Sequence, residues 1–182
     1  MPSSGQRVSI VRHHTSAVFG FIALIVATTP VWAQDARDIE VTPYVALGSD
    51  AAPPVGTMLT VPLTPTLSLE TELGYRWGEG DVHALSTSTS LLWLLPRVGQ
   101  ASPYLAAGVG LAQYGKPVFS LNGPPIGTQR SLAMTVNAGG GVKLPMNGNL
   151  DLRTDARWFK FIGQGSDEFR VAQGISFDVG KR

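Results

Sequence analysis

One stretch of the sequence decides the fold: Leu67-Ser68-Leu69-Glu70-Thr71-Glu72-Leu73-Gly74-Tyr75-Arg76-Trp77. Its odd positions are apolar residues and Thr and end in two aromatic residues, whereas its even positions hold both acids and the Arg. A strand turns successive side chains to opposite faces, so this stretch predicts a strand with one apolar and one charged face. An aromatic residue at the end of the apolar face is typical of a strand that crosses a membrane within a barrel.

A second stretch, Leu150–Trp158, repeats the pattern, with Leu, Thr, Ala and Trp alternating with Asp and Arg. Together the two stretches favour a sheet rolled into a tube that is apolar outside and charged inside. Lipid offers no hydrogen-bond partner to an open sheet edge, so a membrane sheet of this kind must close on itself.

The first 33 residues have the composition of a cleaved secretory signal peptide. Arg7 and Arg12 lie in a basic n-region, Ala17–Ala27 is an apolar run, and Val31-Trp32-Ala33 places small residues where a signal peptidase reads. We expect cleavage before Gln34, followed by one barrel domain over residues 34–182. The alternative is an N-terminal membrane anchor, for which the apolar run is short compared with a span of about 20 residues.

The charge balance changes once this leader is set aside. The whole chain has 14 Lys and Arg against 13 Asp and Glu, but the leader holds two Arg and no acidic residue. Residues 34–182 therefore carry 12 basic and 13 acidic residues. No basic stripe remains that would favour nucleic-acid binding. The chain has no Cys, which excludes disulfides, thiol chemistry and thiolate metal sites.

Turn-forming residues divide the mature part into eight candidate strands. They are Ile39–Gly48, Val55–Leu63, Leu67–Trp77, Val82–Leu95, Pro103–Tyr114, Arg130–Leu144, Leu150–Phe161 and Glu168–Gly180. The longest predicted connection is the Gly- and Pro-rich segment Lys116–Gln129, which we expect either to contact a partner or to fold over the barrel mouth. Short turns alternate with longer connections, as in outer-membrane barrels. The pattern predicts an all-β, eight-stranded, antiparallel up-and-down transmembrane barrel.

The parity of each strand predicts which charged side chains enter the lumen. They are Glu40, Glu70, Glu72, Arg76, Lys143, Asp151, Arg153, Asp155, Arg157, Arg170 and Asp178. An eight-stranded barrel is only wide enough for side chains to fill. We therefore favour a salt-bridged, largely closed polar core, with Glu70 or Glu72 paired across the lumen with Arg153 or Arg157. The alternative is a weak ion pathway or a proton relay.

Four aromatic residues are predicted to anchor the barrel at the membrane interfaces rather than to bind a ligand. They are Tyr75, Trp77, Trp93 and Trp158.

Several segments resemble the small outer-membrane β-barrel domain family, the opacity-protein-like group of the porin superfamily. They are Pro103–Gly110, Ala138–Val142, Asn147–Arg153 and Gly174–Phe177. The resemblance implies a location in the outer membrane of a Gram-negative cell, contact with the bilayer and its lipopolysaccharide, and insertion by the barrel-assembly machinery. The chain departs from the family in ending Gly180-Lys181-Arg182 instead of on an aromatic residue.

The sequence offers little enzymatic chemistry. His83 is the one His of residues 34–182, and Asp81, His83 and a loop Ser such as Ser166 are the only triad that we can assemble. No spacing indicates a metal site or a cofactor site, and Gly139-Gly140-Gly141 lacks the context of a phosphate loop. We expect a non-enzymatic barrel with a structural or surface-interaction role through its extracellular loops, although no extracellular partner is indicated. The alternatives are a small barrel enzyme acting on lipid and a soluble, lipocalin-like periplasmic barrel with reversed faces.

Overall fold

The computed structural model describes residues 39–48, 54–77, 83–119, 125–163 and 166–179, so the predicted signal peptide lies outside the described part. Its eight strands are β1 (Ile39–Gly48), β2 (Val55–Pro62), β3 (Leu67–Trp77), β4 (His83–Leu94), β5 (Ser102–Phe119), β6 (Pro125–Asn147), β7 (Leu150–Phe161) and β8 (Asp167–Val179). Each strand pairs with its sequence neighbours in antiparallel fashion, and β1 pairs with β8 to close the barrel. The predicted eight-stranded up-and-down topology is confirmed. Across the described ranges, no helix is long and apolar enough to cross a membrane.

The prediction of a long loop over Lys116–Gln129 was wrong for most of its length. β5 continues to Phe119 and β6 begins at Pro125, and the two strands remain paired almost to those ends. Pro is compatible with a strand at its first residue and along a free edge. Pro125 opens β6, and Pro117 lies beyond Gly115, the last β5 residue with a partner in β4.

The hydrogen-bonded register defines how strongly the strands are staggered. A path around the barrel from Asp178 passes the paired residues Glu40, Thr60, Glu70, Ser90, Gly108, Asn137 and Phe159 and returns to β8 at Glu168. It returns ten residues from its start, which is the shear of the barrel. Eight strands with this shear tilt by about 40° from the barrel axis, within the range of outer-membrane barrels.

The outer face carries an apolar belt of membrane thickness. Trp93 near the end of β4 and His83 at its start are ten residues apart. At about 3.3 Å per residue and a tilt of about 40°, they are separated by about 25 Å along the axis, the height of the apolar band of such barrels. The end near Trp93 is where β1 begins and β8 ends, and it holds the connections 63–66, 95–101 and 148–149. We call it the turn end. The opposite end is the loop end.

The two faces of the wall differ as the parity predicted. Leu73 and Ile175 are 46% and 40% exposed, whereas Glu72 and Arg153 are 3% and 1% exposed. A soluble lipocalin-like barrel requires an apolar interior and a polar exterior. The observed faces are the reverse, so that alternative is wrong.

Small residues in the wall make room for large side chains in the lumen. A Cβ added to Gly141 would lie 2.3 Å from the hydroxyl oxygen of Tyr104, and a Cβ on Gly56 would lie 2.7 Å from that of Tyr44. Both distances are too short for a side chain. The Gly positions therefore allow two Tyr rings to lie inside a narrow barrel.

Candidate functional site

The centre of the lumen holds four charged side chains in alternating order. Glu70 contacts Arg153 through one carboxylate oxygen and Arg157 through the other, each at 2.6 Å. Asp155 contacts the same two guanidinium groups, at 3.1 Å from Arg153 Nη2 and 2.7 Å from Arg157 Nε. All four residues are at most 2% exposed. Two acids and two bases therefore balance in a closed ring, which we call the central ring.

Neutral polar groups satisfy further atoms of the central ring. Tyr104 Oη donates to Asp155 Oδ2 at 2.6 Å and accepts from Arg153 Nε at 2.7 Å. Thr60 donates to Glu70 at 3.2 Å, and Arg157 donates to Ser90 at 3.3 Å. A buried ionic group is tolerated when such partners fill its remaining hydrogen-bond positions. The hydroxyl groups supply them here.

A second pair lies nearer the loop end. Arg170 donates from both terminal nitrogens to the two oxygens of Glu72, at 2.5 and 2.8 Å. Tyr44 donates to Glu72 at 2.5 Å, and the Arg170 guanidinium lies 4.5 Å from the ring centroid of Phe159. The planar guanidinium of Arg can bind a carboxylate in bidentate fashion while one of its faces packs on an aromatic ring. The ammonium of Lys cannot do both.

Ion pairs also lie at both ends of the lumen. Lys143 donates to Glu40 at the turn end, and Arg76 donates to Glu168 at the loop end. These four side chains are 6–20% exposed, so water reaches them more than it reaches the central ring. The remaining two predicted lumen charges, Asp151 and Asp178, are half-buried at the turn end.

The structure thus places all eleven predicted lumen charges on the inner face and joins nine of them in ion pairs. The sequence analysis omitted Glu168, the partner of Arg76, and the two buried Tyr residues that bond to the network. All three share the inward parity of their strands, and this signal was sufficient to find them.

A cavity of about 50 Å³ lies at the loop end of the lumen. Its lining includes Glu72 and Arg170 but neither Glu70 nor Arg157. Within the described residues, the Ser88 hydroxyl and the Arg170 Nε in this lining have no hydrogen-bond partner. The cavity therefore reaches the Glu72–Arg170 pair from the loop end of the lumen.

The predicted interface aromatics all lie on the outer face. Trp77, Trp93 and Trp158 are 53%, 62% and 39% exposed, with Trp93 nearer the turn end and the others nearer the loop end. Tyr75 packs edge-on against Trp77 with ring centroids 4.7 Å apart. Its hydroxyl lies 2.9 Å from His83 Nδ1.

The structure does not assemble the triad that the sequence suggested. His83 faces outward and contacts Tyr75, Ser166 is exposed beyond β7, and Asp81 lies outside the described residues. In the ranges that the structure describes, no group of three or more His, Asp or Glu residues is placed to hold a metal ion. The arrangement in the lumen is suited to holding opposite walls together.

The N-terminal β-barrel domain of Pseudomonas aeruginosa OprF superposes with a TM-score of 0.62 at 19% identity, over 78% of this chain and 97% of that one. This chain has the fold of the small outer-membrane β-barrels. Neisserial surface protein A has a TM-score of 0.60 at 14% identity, over 78% of this chain and 96% of that one. A major outer membrane protein from Thermus thermophilus has a TM-score of 0.58 at 12% identity, over 78% and 98%.

The sequence itself matches no family model and no curated protein. The shared outer-membrane fold is consistent with the resemblance to the opacity-protein-like group. Together with the apolar belt, it supports the predicted transmembrane location in an outer membrane.

Proposed function

We propose that this protein is a non-enzymatic outer-membrane barrel whose lumen is closed to ions and solutes and which acts through its extracellular end. The central ring is the observation that carries the proposal. Glu70, Asp155, Arg153 and Arg157 fill the middle of the barrel with 0–2% exposed side chains that contact one another at 2.6–3.1 Å. An ion crossing this layer would have to displace buried ion pairs, which is costly in a region of low dielectric constant.

The extracellular end offers an extended surface in place of a catalytic centre. β5 has 18 residues and β6 has 23, whereas a strand tilted at about 45° crosses a bilayer with about 9–11 residues. The hairpin of these two strands therefore projects beyond the apolar belt at the loop end. We propose that surface contacts of the protein are made there.

Two further contacts belong to this proposal. Lys160 and Arg130 face outward near the loop end and are exposed, where they are placed to bind phosphate groups of lipopolysaccharide in the outer leaflet. At the turn end, Phe177 and Val179 of β8 lie at alternating positions and both face outward. This alternation supports recognition of the last strand by the barrel-assembly machinery.

Conductance across planar lipid bilayers tests the closed lumen. We expect the purified wild-type barrel to give little conductance and the double variant E70S/R157S to give a clear increase. The matched control is E40Q/K143M, which removes an ion pair at the turn end and leaves the central ring intact. Equal conductance of the wild type and E70S/R157S would contradict the proposal.

Mass spectrometry of lipid A tests the non-enzymatic assignment. We expect identical lipid A from cells that express the wild-type protein, cells that express H83A and cells that lack the gene. A modification that requires the gene and is lost in H83A would show that the alternative, a lipid-modifying enzyme, is correct.

A further inference from the structure

One carboxamide side chain lies on the lipid-facing surface at the middle of the membrane. Gln173 is an exposed, outward residue of β8. On the same face of the strand, Phe169 lies four residues toward the loop end and Phe177 four residues toward the turn end. With about 3.3 Å per residue and a tilt of about 40°, Gln173 is about 10 Å along the barrel axis from each of these two rings.

This position is costly for a carboxamide that has no partner. The other outward side chains near the middle of the belt are apolar residues or Thr, and a Thr hydroxyl can bond to nearby backbone. The Gln173 carboxamide is in none of the side-chain hydrogen bonds within the described residues, and its neighbours across the sheet are Val45 and Thr154. Acyl chains offer no donor or acceptor, so a hydrogen-bonding group of another membrane-embedded molecule would stabilise this carboxamide.

Small side chains lie on the strands next to Gln173. Thr154 is its neighbour on β7, and Ala156 pairs with Gly140 on β6. Small residues let two membrane-embedded surfaces approach closely enough for a polar side chain to form a hydrogen bond between them.

We propose that the β6–β8 face around Gln173 is a self-association surface, where two copies of this chain pair their Gln173 carboxamides at the membrane midplane. A partner must itself be embedded in the membrane and present a donor and an acceptor at this depth. A carboxamide is both, so a second copy related by a two-fold axis along the membrane normal is complementary to the first. The inference rests on the transmembrane location and does not depend on whether the lumen is closed.

Cross-linking in liposomes tests this surface, with purified full-length barrel as the only protein present. Because the chain has no Cys, single thiols can be placed cleanly. N149C lies in the β6–β7 turn beside the proposed surface, and T66C lies in the β2–β3 turn on the opposite side, both at exposed positions. With a short bifunctional maleimide, we expect N149C to yield several times more dimer than T66C at equal labelling by a monofunctional maleimide.

A second variant tests the role of the carboxamide. In the N149C background, Q173L should weaken association about threefold to tenfold, whereas Q173N should retain more dimer. Heat-modifiable gel migration reports independently that each variant is a folded membrane barrel. Equal dimer from N149C and T66C, or dimer formation in N149C that Q173L leaves unchanged, would overturn the proposal. Loss of heat-modifiable migration in the wild type would instead contradict the membrane location.

Discussion

Glu70 Oε1 and Arg157 Nη2 lie 2.6 Å apart although their strands, β3 and β7, are on opposite walls of the barrel. Seen along the chain the two residues are 87 positions apart. The contact therefore joins parts of the wall that share no strand-to-strand hydrogen bonds. Because Glu70 also contacts Arg153, one carboxylate connects β3 to two positions of β7.

Removal of this carboxylate charge should be strongly destabilising. E70Q leaves Arg153 and Arg157 with Asp155 as their one anionic partner in a buried region. We expect the free energy of unfolding to fall by about 3–5 kcal/mol. Urea unfolding in lipid vesicles, followed by Trp fluorescence, measures the change. E40Q is the control. The Glu40 side chain is 20% exposed, so this variant should lose less free energy of unfolding. A loss in E70Q no larger than in E40Q would contradict the proposed role of the central ring.

The Glu72–Arg170 pair should show strong coupling. E72L and R170M each leave one buried charge without its partner, whereas the double variant removes both charges and substitutes apolar side chains of similar size. We expect each single variant to be less stable than the double variant, with a coupling energy of about 2 kcal/mol or more. The same vesicle unfolding assay measures the free energy of unfolding of all four proteins in this double-mutant cycle. Additive effects would mean that the pair contributes no specific interaction.

The depth of the apolar belt predicts how the outer face of β3 tolerates a charge. Thr71 lies near the middle of the strand and Leu67 at its turn end, and both face outward. An Arg at the bilayer midplane costs about 2–4 kcal/mol, while one near the interface costs about 0–1 kcal/mol. T71R should therefore be clearly less stable than L67R when both are unfolded from vesicles. Similar losses would mean that the belt is not where the structure places it.

Close packing at Gly141 predicts a position-dependent effect of a single methyl group. In G141A, the added Cβ would meet the Tyr104 hydroxyl at 2.3 Å and the Thr154 carbonyl oxygen at 2.4 Å. Overpacking of this kind costs about 1–3 kcal/mol. G127A on the same strand is the control, because nothing lies within 4 Å of its added Cβ. The difference in urea midpoint between the two variants checks the prediction, and equal midpoints would refute it.

The faces of the strands were predictable from sequence because the wall separates two different environments. Apolar and charged residues alternate in Leu67–Trp77 and Leu150–Trp158 because one side of each strand faces lipid and the other faces a polar lumen. The number and order of strands followed from the turns between such segments. In contrast, the specific pairing of Glu70 with both Arg residues depends on the shear, which sets how far opposite walls are displaced along the axis. Alternation does not encode that displacement.

The length of β5 and β6 was not predictable for a different reason. Gly and Pro between residues 116 and 129 are typical of loops, and composition was the only local signal. A two-stranded hairpin satisfies much of its backbone hydrogen bonding internally, so it can extend past the rest of the sheet despite this composition. The free edge beyond Gly115 tolerates Pro117, which a central strand would not.

The projecting β5–β6 hairpin tolerates sequence changes that the closed part of the barrel does not. The last β6 residue paired with β7 is Thr135, and Met134 O still accepts a hydrogen bond from Ile162 N at 2.8 Å. The backbone of the nine residues from Pro125 to Ala133 therefore takes no part in the hydrogen-bonded β6–β7 seam of the barrel. Insertions or sequence drift in this segment leave the ring of strands and its ionic centre untouched. This segment is thus free to change in sequence at a rate that the transmembrane wall cannot match.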